Sequence, residues 1–180
     1  SEPMGKSPGT IKWVGPEKVA DSTIQKLALK HGLPEPLAHL LSQKNFTSEK
    51  AVQDFIYPKL SSLSDPFELP GMDKMVSRIL DALDRKERIL IFGDYDVDGI
   101  TSTALLYIVL QHFQADVSFF IPDRLKTGYG LSRESLIYCQ QQYHPDLVIA
   151  VDCGTTAVQE VAYLRAEKID ILILDHHEPQ

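Results

Sequence analysis

The 180-residue chain has few cysteines, no excess of positive charge and no long apolar segment. Its two cysteines, Cys139 and Cys153, have no CxxC partner, so nothing suggests a disulfide framework, and a reducing compartment fits. The formal net charge is −7, so charge alone gives no reason to expect non-specific binding to nucleic acid or membranes. Runs of about 18 apolar residues, which a membrane-spanning helix needs, do not occur. We therefore expect a cytoplasmic protein without a membrane span.

The composition of the chain and the positions of its Pro and Gly residues predict three segments. Apolar residues make up 43% of the sequence, enough to fill a sizeable core. Residues 1–16 are rich in Ser, Pro and Gly and read as a flexible start. Residues 17–87 show short helical patterns, including an amphipathic helix over 72–85, and predict a helical N-terminal extension. Residues 88–180 form the third segment.

From residue 88 onward, short apolar strands alternate with helical segments. The predicted strands are 88–92, 117–121, 147–151 and 169–174, and the predicted helices are 101–113, 132–142 and 155–167. Fully apolar strands that alternate with helices are typical of a parallel sheet covered on both faces. The sequence therefore predicts an α/β fold with a parallel, doubly wound sheet.

Three short acidic clusters each follow an apolar strand. They are residues 93–99 (GDYDVDG), 151–154 (VDCG) and 175–179 (DHHEP). Loops at the carboxyl ends of parallel strands line one crevice of an open sheet, so we expect the three clusters to meet. Carboxylates and imidazoles are ligands of divalent cations, and a bound metal pair would offset the repulsion between unpaired carboxylates.

The first cluster holds three aspartates at alternate positions. In an extended loop, Asp94, Asp96 and Asp98 would share one face and converge. The helix expected from Thr101 has free N–H groups at its start that favour a phosphate, and Gly99 would let the backbone approach a ligand. The alternative is an Asp-rich turn that only caps this helix.

The second and third clusters contribute Asp152 and the run from Asp175 to His177. Asp152 could bridge two metal ions, or it could be only a helix cap. Of the adjacent histidines, one could bind a metal while a carboxylate orients it, and the other could contact a phosphate or donate a proton. The alternative for the pair is a solvent-exposed position without a ligand.

A fourth segment, residues 122–132, also follows a strand and should reach the same edge of the sheet. Arg124 and Lys126 could bind phosphates, and Tyr129 could stack on a base. Ser132 could cap the next helix. The alternative is a long polar loop with two solvated basic side chains.

These motifs resemble the DHH phosphoesterase superfamily. The resemblance rests on residues 92–103 (FGDYDVDGITST), 151–154 (VDCG) and 175–179 (DHHEP). The loop 121–131, together with residues 55–58 (FIYP) and 65–67 (DPF), is more similar to the branch of single-strand-specific exonucleases than to members with small substrates.

The resemblance implies a Mn²⁺- or Mg²⁺-dependent phosphodiesterase with two metal ions that acts 5′→3′ on single-stranded DNA in repair and recombination. A single-strand-binding protein and a helicase would be further partners. The implied metal ligands are Asp96, Asp98, Asp152 and His176, with Asp152 as the bridge. Asp94 and His177 match positions that support the site or contact phosphate, and Asp94 also counts as a candidate ligand. The candidate catalytic residues are Asp98, Asp152 and His177, and the candidate substrate-binding residues are Arg124, Lys126, Tyr129 and Gly130.

The family pattern also implies parts that lie beyond Gln180. These are a further aspartate motif, a second domain and, in the exonuclease branch, an OB-fold. We therefore expect the chain to be the N-terminal part of a longer protein, with an incomplete two-metal site and little activity by itself.

Three other functions stay open from the sequence. One is a DHH phosphatase or oligonucleotide hydrolase with small substrates. The second is a HAD-type phosphatase in which Asp96 is a covalent nucleophile, although this leaves the histidine pair unexplained. The third is a non-catalytic replication scaffold on a decayed DHH core.

Overall fold

The computed structural model describes residues 21–44, 46, 48–123 and 130–178. The chain divides into two units, Ser1–Asp65 and Pro66–Gln180. The predicted flexible start, 1–16, lies outside the described residues.

The first unit is helical, as predicted for the N-terminal extension. It contains α1 (Asp21–His31), α2 (Glu35–Gln43) and α3 (Glu49–Ile56). Its core consists of the apolar residues Leu27, Ala38, Leu41 and Val52. The Ser48 hydroxyl caps α3 by accepting a hydrogen bond from the backbone N–H of Ala51 at 3.1 Å.

The second unit begins with short 3₁₀ turns and then alternates helices with strands. In chain order its elements are α4 (Met72–Asp84), β1 (Arg88–Gly93), α5 (Val97–His112), β2 (Asp116–Phe120), α6 (Arg133–Tyr143), β3 (Leu147–Val151), α7 (Val158–Ala166) and β4 (Asp170–Leu174). Among the helices of the described residues, none is long and apolar enough to cross a membrane.

The four strands form one parallel sheet in the order β2-β1-β3-β4. Side chains alternate between the two faces of the central strand β1. Ile89 and Ile91 pack against α4 and α5, whereas Leu90 and Phe92 pack against α6 and α7. Helices cover both faces, which confirms the doubly wound α/β prediction.

The central strands are the most buried part of the unit. Every residue of β3 is buried, and so are the last five residues of β1. Each fully buried Leu, Ile or Val side chain contributes about 1.5–3 kcal/mol to folding. The loops that follow β1 and β3 therefore start from rigid, buried strands. This fixes the positions of the acidic clusters.

Several boundaries differ from the predicted ones by a few residues, and two of the differences change how the chain is organised. α5 begins at Val97 rather than Thr101, because the Asp96 side chain already caps the helix there. α4 packs through Ala82 on the sheet, so it belongs to the second unit although the predicted extension reaches residue 87.

Candidate metal centre

The acidic clusters lie at the point where the sheet reverses its strand order. From β1 the chain crosses to β2 on one side, and β3 leads to β4 on the other. Ligands of open α/β sheets bind in the crevice at this switch point, outside the carboxyl ends of the strands. The loops after β1, β3 and β4 all reach this crevice.

Asp94, directly after β1, is fully buried with no exposed surface. Its Oδ1 accepts a hydrogen bond from the Tyr95 backbone N–H at 2.8 Å. Its Oδ2 is buried and has no hydrogen-bond partner. A buried carboxylate oxygen without a donor is costly, so a cation beside Asp94 would complete its surroundings.

Close backbone packing around Asp94 explains the two glycines of this loop. A Cβ on Gly99 would lie 2.7 Å from the backbone N and C of Asp94. A Cβ on Gly93 would collide with the Thr103 hydroxyl, which is itself buried without a partner. From the sequence, Gly99 is expected to let the backbone come close to a ligand. In the structure, the main chain at Gly99 instead lies close to the main chain of Asp94.

Asp96 is the N-cap of α5. Its Oδ1 accepts hydrogen bonds from the backbone N–H groups of Asp98 and Gly99, both at 3.0 Å. The hydrogen bond from Gly99 lowers the pKa of Asp96, so this carboxylate is held ionised.

Asp152, directly after β3, adopts a left-handed backbone conformation with φ 61°. Its N–H donates to the Leu174 carbonyl at 2.9 Å, which ties the β3 loop to the end of β4. Burial and the neighbouring Asp96 carboxylate raise the pKa of Asp152. Strained backbone at a non-glycine residue is typical of functional sites, where the surrounding structure enforces it.

Two overlapping groups of ligand atoms result. One atom each of Asp94, Asp96 and Asp152 lie within 4.8 Å of one another, and so do one atom each of Asp152, His176 and His177. His176 Nε2 is 3.1 Å from Asp152 Oδ1. Among the described residues, no Lys or Arg pairs with these carboxylates. The oxygen-rich donor set and the orphaned Asp94 oxygen fit a divalent cation such as Mn²⁺ or Mg²⁺.

The comparison with family models identifies the family of the domain that carries these clusters. Residues 88–180 match the DHH family, N-terminal domain, which covers β1 and all three acidic clusters. The chain belongs to the DHH family.

Relatives and solved structures agree with this membership. A RecJ single-stranded-DNA-specific exonuclease from Bacillus subtilis is 38% identical over 143 residues, which are 79% of this chain and 18% of the relative. A crystal structure of an exonuclease RecJ bound to manganese is 38% identical with a TM-score of 0.58, over 62% of this chain and 29% of that one. RecJ in complex with Mn²⁺ from Thermus thermophilus is 26% identical with a TM-score of 0.60, over 90% of this chain and 22% of that one. The chain thus spans about a fifth of the length of the curated relatives it matches.

In this DHH domain, Asp98 does not join the converging oxygens. The prediction assumed an extended loop, in which alternate residues share a face. Because α5 begins at Val97, Asp98 lies in the first helical turn, where successive side chains turn by about 100°. Asp98 lines a cleft of about 470 Å³ together with Asp152 and His176, which both belong to the groups above, so its role as a ligand stays a prediction.

The substrate-binding candidates fall largely outside the described residues, since Arg124, Lys126 and Tyr129 lie within 124–129. Gly130 lines a second cavity of about 360 Å³, to which His177 also contributes. The two histidines of the DHH motif therefore border different clefts, and Asp175 lines both.

Asp175 contacts His177 and Thr155, whereas the sequence pattern predicted only that a carboxylate orients one of the two histidines. Its Oδ1 lies 2.7 Å from His177 Nδ1, and its Oδ2 accepts hydrogen bonds from the N–H and hydroxyl of Thr155 at 3.0 and 2.7 Å. Burial alone would raise the pKa of Asp175, but the hydrogen bonds from Thr155 and His177 outweigh it and hold that pKa well below its usual range. Hydrogen bonding to Asp175 in turn raises the pKa of His177.

Ser132 confirms its predicted role as a helix cap, and the structure also defines the surroundings of Cys153. Ser132 caps α6 by accepting a hydrogen bond from the Ser135 N–H at 3.3 Å. Cys153 is buried, and burial raises the pKa of its thiol to about 12, which argues against a role as a nucleophile. The contribution of Thr155 was missed, because Gly-Thr-Thr after a strand usually marks a helix cap.

Proposed function

We propose that this chain supplies the metal-binding part of a Mn²⁺- or Mg²⁺-dependent exonuclease that hydrolyses single-stranded DNA in the 5′→3′ direction. The observation that carries the proposal is the convergence of Asp94, Asp96 and Asp152, one of them fully buried with an unpaired oxygen. Such a cluster is unfavourable without a cation and gains stability from binding one.

The comparisons support DNA as the substrate class rather than a small phosphoester. Relatives that are 36–38% identical to this chain are named single-stranded-DNA-specific exonucleases. The match to the Bacillus subtilis relative is longer than the family domain at 88–180, so it includes part of the helical extension. Membership of the DHH family also removes the HAD-type alternative.

Bound divalent cations would neutralise the scissile phosphate and activate a water molecule. The chain's own contribution is to hold the ligands in place. Asp94, Asp96 and Asp152 provide oxygens from two rigid strand ends, and His176 adds a ring nitrogen beside Asp152. Without cations these carboxylates would repel a phosphate, so we expect hydrolysis to depend strictly on metal.

Further assignments of the proposal rest on the sequence. Asp98, Asp152 and His177 are the proposed catalytic residues, with His177 contacting phosphate or donating a proton. Arg124, Lys126, Tyr129 and Gly130 are the proposed contacts to the strand. A single-strand-binding protein and a helicase are proposed partners.

A chimera tests the function, because the chain spans only about a fifth of its relatives. This chain would replace the matching segment of the Bacillus subtilis exonuclease, and release of nucleotides from end-labelled single-stranded DNA would be measured with and without Mn²⁺. We expect Mn²⁺-dependent release from the 5′ end that Asp152→Asn abolishes. Asp81→Asn, which removes the same charge from an exposed position of α4, should leave the rate unchanged.

A folded chimera that binds Mn²⁺ but leaves single-stranded DNA intact would contradict the proposal. Hydrolysis of small phosphoesters by that chimera would then favour the small-substrate alternative. Absence of any hydrolysis would favour the non-catalytic scaffold.

A further inference from the structure

The Asp175 carboxylate is completely occupied by hydrogen-bond donors. Oδ2 accepts the backbone N–H and the hydroxyl of Thr155, and Oδ1 accepts the backbone N–H of His177 at 3.2 Å and faces His177 Nδ1 at 2.7 Å. An ionised carboxylate offers about four lone-pair positions, and all four are used here. Because all of these positions are used and only 3% of its side chain is exposed, Asp175 is not available as a metal ligand.

These four contacts also define the protonation pattern of His177. A carboxylate that accepts three other hydrogen bonds can only accept the fourth, so His177 Nδ1 must carry a proton. The partner of one ring nitrogen sets the state of the other. His177 consequently presents Nε2 toward its surroundings, while the side chain is 45% exposed and lines the cavity of about 360 Å³.

The backbone of the β3 loop is shaped to deliver Thr155 to this carboxylate. Gly154 has φ +108°, a conformation that residues with a Cβ rarely adopt, and a Cβ at this position would lie 3.4 Å from the Ile173 side chain. Thr155 does not cap α7, since that helix begins at Val158 without a side-chain cap. The hydroxyl of Thr155 thus serves Asp175, 20 residues further along the chain.

We infer that Thr155 is a positioning residue for His177. Its two hydrogen bonds fix the Asp175 carboxylate so that the opposite oxygen holds His177 Nδ1–H and aims Nε2 at the cleft beside the metal centre. The consequence for hydrolysis rests on the proposed nuclease function, but the effect on the imidazole does not.

The direct test is the ring ¹⁵N chemical shifts of His177 in the labelled chain, recorded at a pH where this imidazole is neutral, because they then distinguish the Nδ1–H and Nε2–H tautomers. We expect the Nδ1–H form in the wild type. Thr155→Val keeps the shape but removes the hydroxyl, and it should move the shifts toward a mixture of tautomers. Thr155→Ser should retain the wild-type shifts. Thr156→Val, the same change at the next, exposed position, is the matched control.

Nuclease kinetics of the chimera give the second readout. Thr155→Val should lower kcat by about tenfold with little change in KM, as expected when the outer partner of a site residue is lost, and Thr155→Ser should recover it. An Nε2–H wild type, or wild-type ring shifts in a folded Thr155→Val protein, would overturn the inference whatever the kinetics show. The expected shifts in a chimera without nuclease activity would support the positioning role and contradict the proposed function.

Discussion

Replacement of Gly99 by alanine tests how the first acidic loop is built. Gly99 lies in the first turn of α5, and alanine is normally favoured over glycine in a helix by about 1 kcal/mol. The structure predicts the opposite sign here. A Cβ at this position would lie 2.7 Å from the backbone N and C of Asp94, and backbone atoms cannot rotate away as a side-chain end can.

The expected change in the free energy of unfolding follows from these two opposing effects. Overpacking a buried position costs about 1–3 kcal/mol, and we expect the upper end because the obstacle is main chain. After subtraction of the helix preference, the free energy of unfolding should fall by about 2 kcal/mol. Since the shift displaces Asp94, the affinity for Mn²⁺ should fall as well.

Urea unfolding followed by far-UV circular dichroism measures the first effect, and calorimetric titration with Mn²⁺ measures the second. Gly71→Ala is the control: its Cβ would meet no atom within 4 Å, although its φ of +81° adds backbone strain of about 1–2 kcal/mol. Gly71→Ala should leave the affinity for Mn²⁺ unchanged. A Gly99→Ala protein that is as stable as the wild type, or more stable, would refute this account of the loop.

Two further predictions concern stability away from the metal centre. Lys168 follows α7 in the left-handed conformation, at φ 61°, so Lys168→Gly should raise the free energy of unfolding by about 1 kcal/mol in urea melts, whereas Lys168→Ala should give no gain. The hydrogen bond from Arg88 lowers the pKa of Asp146, so the stabilisation by this pair is complete above the ordinary carboxyl pKa and is lost as the pH falls through the lowered one. Because both side chains are nearly half exposed, Asp146→Asn should cost less than about 1 kcal/mol in urea melts at neutral pH and almost nothing near pH 2; an equal cost at both values would contradict the assignment.

The sheet could be predicted from the sequence because its signal is local. Runs such as residues 147–151 are short and apolar throughout, which is typical of a strand buried on both faces when such runs alternate with helical patterns. The meeting of the acidic clusters followed from the parallel topology, which places every strand end at the same edge.

Two details of the metal centre were not predicted from the sequence. Asp98 lies outside the group of ligand atoms formed by Asp94, Asp96 and Asp152, because the cap at Asp96 starts α5 earlier than predicted. Thr155 and Asp175 interact across 20 residues, through a turn at Gly154 that has a positive φ. The first effect is local, because aspartate is a preferred N-cap and its hydrogen bonds reach only two and three residues along the chain. The second effect arises from tertiary structure, so neither the period of the sequence nor the residue types could reveal it.

Titration of the chain with Mn²⁺ tests most directly whether the carboxylate cluster is a metal centre. The wild type should bind Mn²⁺, and Asp152→Asn should weaken binding by more than about 100-fold, because Asp152 belongs to both groups of ligand atoms and is more than an outer hydrogen-bond partner. Asp81→Asn, with the same loss of charge on the exposed surface of α4, should bind Mn²⁺ as the wild type does. Equal affinities of the wild type and Asp152→Asn would contradict the central claim.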